Sequence, residues 1–299
     1  MISFKMSAEA KQLYLFEEEG LIPSNKQKVT NVSSVPKRSP FRYAGGKTWL
    51  IPTIRKWLPI NSQIRLIEPF CGGGIVSLTA VAENRVNHAI MVEKDDDVAA
   101  AWKAIFEHNE WLTDRIMNFD MTIENVHTVV NAEPASVQEH GFQTIIRNRT
   151  NHGGILANGA GTIKNGEKGK GISSRWYPIT LVRRIREISS YMRKIQFVQG
   201  DAFDFISEEY DQPDNYFFID PPYTVAGKRL YTLCDVDHEE IFRRIAALRC
   251  HYLVTYDLSD YILSLVDKYE LQWRTIPMQT THLVTKEEIL ISDNFDWLD

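Results

Sequence analysis

Cysteine is scarce in this chain: Cys71, Cys234 and Cys250 are the only three in 299 residues. They are widely spaced and form no C-x-x-C pair, which argues against a disulfide framework and a structural zinc site. Long apolar runs are missing too, so no stretch reads as a membrane span. The start carries Lys5 and Lys11 but also Glu17-Glu18-Glu19, without the apolar core of a signal peptide. A cytoplasmic protein with neither membrane nor metal is therefore expected. A P-loop is lacking as well. Gly46-Lys47-Thr48 ends like one, but the pattern needs a glycine five positions before Gly46; that position is Phe41, and no strand precedes it. Phe217-Phe218-Ile219-Asp220 is then not the magnesium strand of an ATPase. Asp237-His238-Glu239-Glu240 lacks zinc-helix spacing, and no deaminase-type His-x-Glu with Pro-Cys-x-x-Cys occurs.

The composition is that of a soluble globular protein, 43% hydrophobic and 24% charged. The length suits one large α/β domain, or one with a smaller module. Net charge is −5, but it is unevenly spread. Residues 141–200 hold eleven Lys or Arg against two Glu, a net +9, so the remainder carries −14. Trp176, Tyr177 and Tyr191 are interleaved with those cations. Such a local excess is the footprint of a polyanion-binding surface, although a solvated helix face reads similarly.

Along the chain, 1–38 reads as a leader with an amphipathic helix over Ala8 to Gly20. Helices are expected over Leu50 to Leu58, Ile75 to Asn84 and Asp96 to Asn109, and strands over Ile64 to Ile67 and Ala89 to Glu93. Residues 110–150 read as helical with breaks at Pro134 and Gly141. Residues 153–171 hold seven of the sixteen glycines, including Asn158-Gly159 and Asn165-Gly166, and read as a hairpin or extended loop. A basic helix follows from Pro178 to Lys194. Strands then resume at Gln196, Phe217, Tyr252, Leu271 and Glu288.

Four clusters carry chemistry. Glu68-Pro69-Phe70-Cys71-Gly72-Gly73-Gly74 is a strand end and a turn that admits a ligand against the backbone. Glu93, 25 residues after Glu68, ends the next strand, where a carboxylate can accept both hydroxyls of a ribose. Asp201, in Gly200-Asp201-Ala202-Phe203, can take an adenine amine while Phe203 covers the ring; helix capping is an equal and compatible reading. Asp220-Pro221-Pro222-Tyr223 follows an apolar strand and sets a carboxylate and an aromatic ring at its end. That set suits a planar group with an exocyclic amine. Asp95-Asp96-Asp97 reads as a helix start, and Cys71 as an apolar filler.

In this order, Arg42 to Lys47, Glu68 to Gly74, Glu93, Asp220 to Tyr223 and Lys286 to Ile291 resemble the motifs of the D12-class, Dam-like adenine-N6 DNA methyltransferases. The resemblance implies a Rossmann-like α/β sheet that uses S-adenosylmethionine, with helices on both faces and an inserted target-recognition region. Residues 39–110 and 196–299 would form the catalytic domain, and 111–195 the insert. Tyr43, Gly45, Gly46 and Lys47 would line the methionine end of the cofactor; Glu68, Phe70, Gly72 and Gly74 its turn; Glu93 its ribose; Asp201 and Phe203 its adenine. Asp220 and the Pro221 carbonyl would hold the target amine beside Pro222, with Tyr223 stacked on a flipped-out base. Arg42, Arg147, Arg149, Lys168, Lys170 and Arg175 would contact double-stranded DNA. A cognate restriction endonuclease is a partner the resemblance allows; oligomeric state is not implied. Two departures stand out. The first acid is Glu68 rather than the commoner Asp. After Asn151-His152-Gly153-Gly154 the base-reading arginine of GATC-specific relatives has no counterpart, so that specificity does not carry over. RNA or a protein glutamine as substrate, and a non-catalytic DNA-binding module, are the rival readings; Asp220 in place of Asn disfavours glutamine.

Overall fold

The computed structural model describes residues 32–42, 45–60, 63–157, 159–166, 169–207, 210–224, 235–279 and 285–298. The expected helix over Ala8 to Gly20, Tyr43 and Lys168 lie outside them. Seven strands form one sheet: β1 Arg65–Glu68, β2 His88–Glu93, β3 Ile195–Gln199, β4 Asn215–Ile219, β5 His251–Asp257, β6 Gln272–Gln279 and β7 Thr285–Ser292. Their order is β3-β2-β1-β4-β5-β7-β6. The first five are parallel to their neighbours, while β7 runs antiparallel to both β5 and β6. Pro277 is tolerated because β6 is the edge strand and need not donate on its outer side.

Ten α-helices occur among the described residues. They are α1 Ile51–Trp57, α2 Ile75–Ala82, α3 Asp96–Glu107, α4 Asn109–Met117, α5 Ile123–Asn131, α6 Val137–Thr150, α7 Pro178–Ser190, α8 Ala202–Phe205, α9 His238–Ala247 and α10 Asp260–Lys268. Both faces of the sheet are covered, which is why its strands are apolar on both sides. Ala89 and Met91 of β2 and Phe218 of β4 face a core shared with α1 to α7. Ile90, Val92, Phe217 and Ile219 face a second core with α8, α9 and α10. The fold is thus the expected α/β sheet with helices on both sides. Leu112, Ile116, Val126, Phe142, Ile145 and Ile146, from the expected insert, pack into the first of these cores. No helix among the described residues is long and apolar enough to cross a membrane.

Of the two forms expected for the glycine-rich stretch, its described residues take the loop: they hold short 3-10 turns at His152–Gly154 and Gly171–Arg175 and an isolated antiparallel bridge, Asn151 to Thr162. One expectation is corrected: Gly141 does not break a helix; α6 runs through it. An added Cβ at 141 would lie 2.6 Å from the Ala100 carbonyl oxygen and 2.6 Å from Ala104 Cβ on α3. Glycine is there for close helix–helix approach, which outweighs its poor propensity. Gly141→Ala is therefore expected to destabilise by about 1–3 kcal/mol through overpacking, although alanine is the better helix former. Urea denaturation measures this, and a stabilised variant would show that α3 and α6 move apart freely.

Candidate active site

The parallel register aligns the carboxyl ends of β1, β2, β3 and β4 along one edge, where an open α/β sheet binds its ligands. A cavity of about 340 Å³ opens there. Its walls hold Glu68 at the end of β1 with Phe70, Gly72 and Gly74 after it, Glu93 at the end of β2, and Asp201 and Phe203 after β3. Asp220 and Pro222 after β4, Gly45, Gly46 and Lys47, and Gly154, Ile155 and Leu156 also line it.

The turn after β1 needs its glycines. Gly74 sits at φ 62°, and a Cβ there would lie 2.4 Å from Met91 Cε and 2.9 Å from the Trp102 ring. Trp102 Nε1 donates to the Gly72 carbonyl at 2.8 Å and pins the turn. Glu93 accepts from the backbone N–H groups of Gly72, Lys94 and Asp95, each at 2.9 Å. Burial still pushes its carboxyl up to about 7. Glu68 is buried and accepts from Ser77 N at 3.0 Å and from the Ser77 hydroxyl. Burial lifts it to about 8. A carboxylate has about four acceptor directions, so Glu93 keeps one beyond its three bonds.

Asp201 caps α8 by accepting from Phe203 N at 3.0 Å and pairs with Lys94 Nζ at 2.6 Å. Burial raises its carboxyl, but those two donors outweigh it and hold it below the ordinary range. The Phe203 ring is braced by the Arg244 guanidinium, 5.2 Å from its centroid.

At the end of β4, Asp220 Oδ1 receives Lys47 Nζ at 2.8 Å and the Thr255 hydroxyl at 2.7 Å. Asp220 Oδ2 takes no partner among the described residues. Lys47 is 3% exposed. Burial alone would lower its pKa, but Asp220 and Glu288 reverse that and raise it, so it is a cation. Its Nζ also reaches the Gly45 carbonyl at 3.1 Å and lies 4.0 Å from Glu288 Oε2 and 4.8 Å from the Tyr223 ring centroid. The Tyr223 hydroxyl donates to Glu288 Oε2 at 2.7 Å, and its ring stacks on Tyr256 at 6.0 Å. Burial, with Glu288 and Asp220 beside it, pushes the phenol well up and keeps it a donor.

Glu288 and Thr255 were assigned no role from sequence. The antiparallel register pairs Glu288 with Asp257, which carries it to the carboxyl ends of the parallel strands. Its one sequence signal is an acid running into the apolar Ile289-Leu290-Ile291. Thr255 in the middle of a strand carries none.

The basic candidates divide. Arg147 Nη1 pairs with Asp97 Oδ2 at 2.5 Å, and Nη2 donates to the Leu156 carbonyl at 2.9 Å. Arg149 is 8% exposed and donates to the Pro40 carbonyl. Burial, with Arg184 and Arg42 nearby, lowers its pKa to about 10. Both guanidinia are turned into the fold. Arg175 is half-buried and donates to the Asn151 carbonyl at 3.1 Å. Arg42 has its peptide held by Asn148. Lys170 is exposed, as are Arg183 and Arg186 on α7. Among the described residues no cluster of His, Cys, Asp and Glu is arranged to hold a metal ion.

The sheet order and these strand ends define a Rossmann-like α/β protein with one site at its carboxyl edge. Residues 43–270 match the family described as D12 class N6 adenine-specific DNA methyltransferase. The chain belongs to that family. Compared with the curated proteins, it finds no match. Among solved structures it is similar to the rRNA methyltransferase aviRa from Streptomyces viridochromogenes, at 13% identity and a TM-score of 0.38, over 91% of this chain and 88% of that one. It is also similar to the N-terminal domain of human METTL16 in complex with SAH, at 10% identity and a TM-score of 0.39, over 93% and 77%. A Listeria monocytogenes protein matches at 8% identity and a TM-score of 0.36; 80% of this chain spans 66% of it.

Proposed function

We propose that this protein methylates the N6 amine of adenine in duplex DNA, in the cytosol, with S-adenosylmethionine as methyl donor. The carrying observation is the state of Asp220. Lys47 and Thr255 both bind Oδ1, which fixes the carboxylate and leaves Oδ2 beside the cavity for an amine N–H.

The cavity fits the cofactor by its chemistry. The tight turn at Gly72 and Gly74 lines the cavity, Glu93 offers an acceptor to a ribose, and Asp201 with Phe203 offers an acceptor and a ring face to a purine. S-adenosylmethionine supplies a methyl group already activated on a sulfonium. The protein's task is then orientation. An exocyclic amine is a poor nucleophile because its lone pair is delocalised into the ring. Hydrogen bonds from that amine to Asp220 and the Pro221 carbonyl favour a tetrahedral nitrogen whose lone pair is localised. In a duplex the amine is buried, so the base is extruded and held beside Tyr223. Among the described residues of the basic segment, Lys164, Lys170, Arg183, Arg186 and Arg193 are the exposed cations and would face phosphates.

The test is sequencing of DNA from cells expressing the protein, with detection of modified adenine, alongside an RNA digest. N6-methyladenine in DNA is the expected result; modification confined to RNA would overturn the substrate. Glu93 carries a second prediction. A hydroxyl donating to its remaining acceptor would lower its pKa on binding from about 7 in the free protein. Affinity for S-adenosylmethionine should therefore fall as pH drops below about 7 and level off above it. Glu93→Ala should weaken binding by about 1.5–3 kcal/mol per lost bond and flatten that profile. Calorimetry across the range checks both; unchanged affinity would place the ribose acceptor elsewhere.

A further inference from the structure

The cavity has two walls from distant parts of the chain. Gly45, Gly46 and Lys47 form one, and Gly154, Ile155 and Leu156 the other. Their alignment depends on side chains at the end of α6. Asn148 is 1% exposed. Its Oδ1 accepts from Arg42 N at 2.9 Å, and its Nδ2 donates to the Arg42 carbonyl at 3.0 Å and to the Gly154 carbonyl at 2.8 Å. One amide thus reads both polar groups of Arg42 and, with its second donor, holds the facing segment. Arg147 holds the Leu156 carbonyl at 2.9 Å, and Asn151 Nδ2 holds the Ile155 carbonyl at 2.8 Å. Three consecutive carbonyls are each fixed by one side chain. The fit at Arg42 is close: a Cβ on Gly154 would lie 2.2 Å from the Arg42 carbonyl oxygen.

We infer that Asn148 is a positioning residue for the cofactor: it sets the spacing of the two cavity walls without touching the ligand itself. The inference rests on the methyltransferase reading above. Only a primary amide serves here. A carboxylate would face two carbonyl oxygens, and an aliphatic side chain would give up all three of these hydrogen bonds.

The test uses the full chain without DNA. Asn148→Ala should raise the Kd for S-adenosylmethionine by about tenfold or more, because walls that have lost their preset spacing must be ordered when the ligand binds. Asn151→Ala, which frees only the Ile155 carbonyl, should raise it by about threefold to tenfold, and it decides the matter if the first variant does not fold. In turnover assays the loss should fall on KM for the cofactor, with kcat at saturation nearly kept. A merely structural defect would lower the active fraction and leave the Kd of the folded protein unchanged. Wild-type binding with unaltered Kd in the folded variants would overturn the role of this clamp. A wild-type protein that binds no S-adenosylmethionine would instead bring down the methyltransferase reading itself.

Discussion

Asp220→Ala is expected to cost methyl transfer about 10²-fold or more in kcat while cofactor affinity largely survives. In the proposed function the carboxylate would serve the target amine, and Lys47 and Thr255, both bound to Oδ1, would hold it still. Removing it deletes an oriented acceptor from a partly desolvated place, where such a bond is worth most. Asp220→Asn tests the same point more narrowly. Its shape is kept, but an amide whose oxygen stays on Lys47 turns an N–H toward the incoming amine, so donor meets donor. Both variants should be slow, and both should bind S-adenosylmethionine with a Kd near that of the parent. Single-turnover rates and calorimetry on the same preparations separate the two effects. Near-normal turnover in either variant would sink the assignment of Asp220.

The parts of this site that sequence exposes are those governed by local rules. Asp220 follows an apolar run, Glu93 follows another, and Gly72 to Gly74 lie between a strand and a helix; each is a strand end that periodicity alone can place. All seven strands were legible for the same reason. What stayed hidden depends on which distant residue a side chain meets. Arg149 reads as a surface cation, yet it is buried against Pro40, more than a hundred positions away. Gly141 reads as a break, but the Ala100 carbonyl on a neighbouring helix explains it. Asn148 carries no signal, since an asparagine near a helix end ordinarily reads as a cap or a solvent contact. Glu288 reaches the site only because β7 runs backwards beside β5, an arrangement set by the whole sheet.

Lys47→Met should have the next largest effect, and its dependence on pH distinguishes the cause. Lys47 is the cation that meets both Asp220, at 2.8 Å, and Glu288, at 4.0 Å, inside the fold. Methionine nearly keeps the volume and removes the charge, leaving two carboxylates without their counter-ion. Breaking such a buried pair by removing one partner costs about 3–5 kcal/mol. Burial already raises the Glu288 pKa, and Lys47 is the chief influence opposing it. Without Lys47 the folded-state pKa of Glu288 rises further, while the unfolded value stays in the ordinary carboxylate range. A carboxyl raised on folding favours the folded state only while it is protonated. The stability gap between variant and parent should therefore be small at pH 4–5 and widen as pH rises through the window between the two pKa values. Urea denaturation at pH 5 and pH 8 measures it. Adding Glu288→Gln to Lys47→Met should close part of the gap at pH 8, because a neutral amide can still accept from the Tyr223 hydroxyl. A gap of equal size at both pH values would mean that Lys47 stabilises the site by packing alone, and the electrostatic account of this cluster would be wrong.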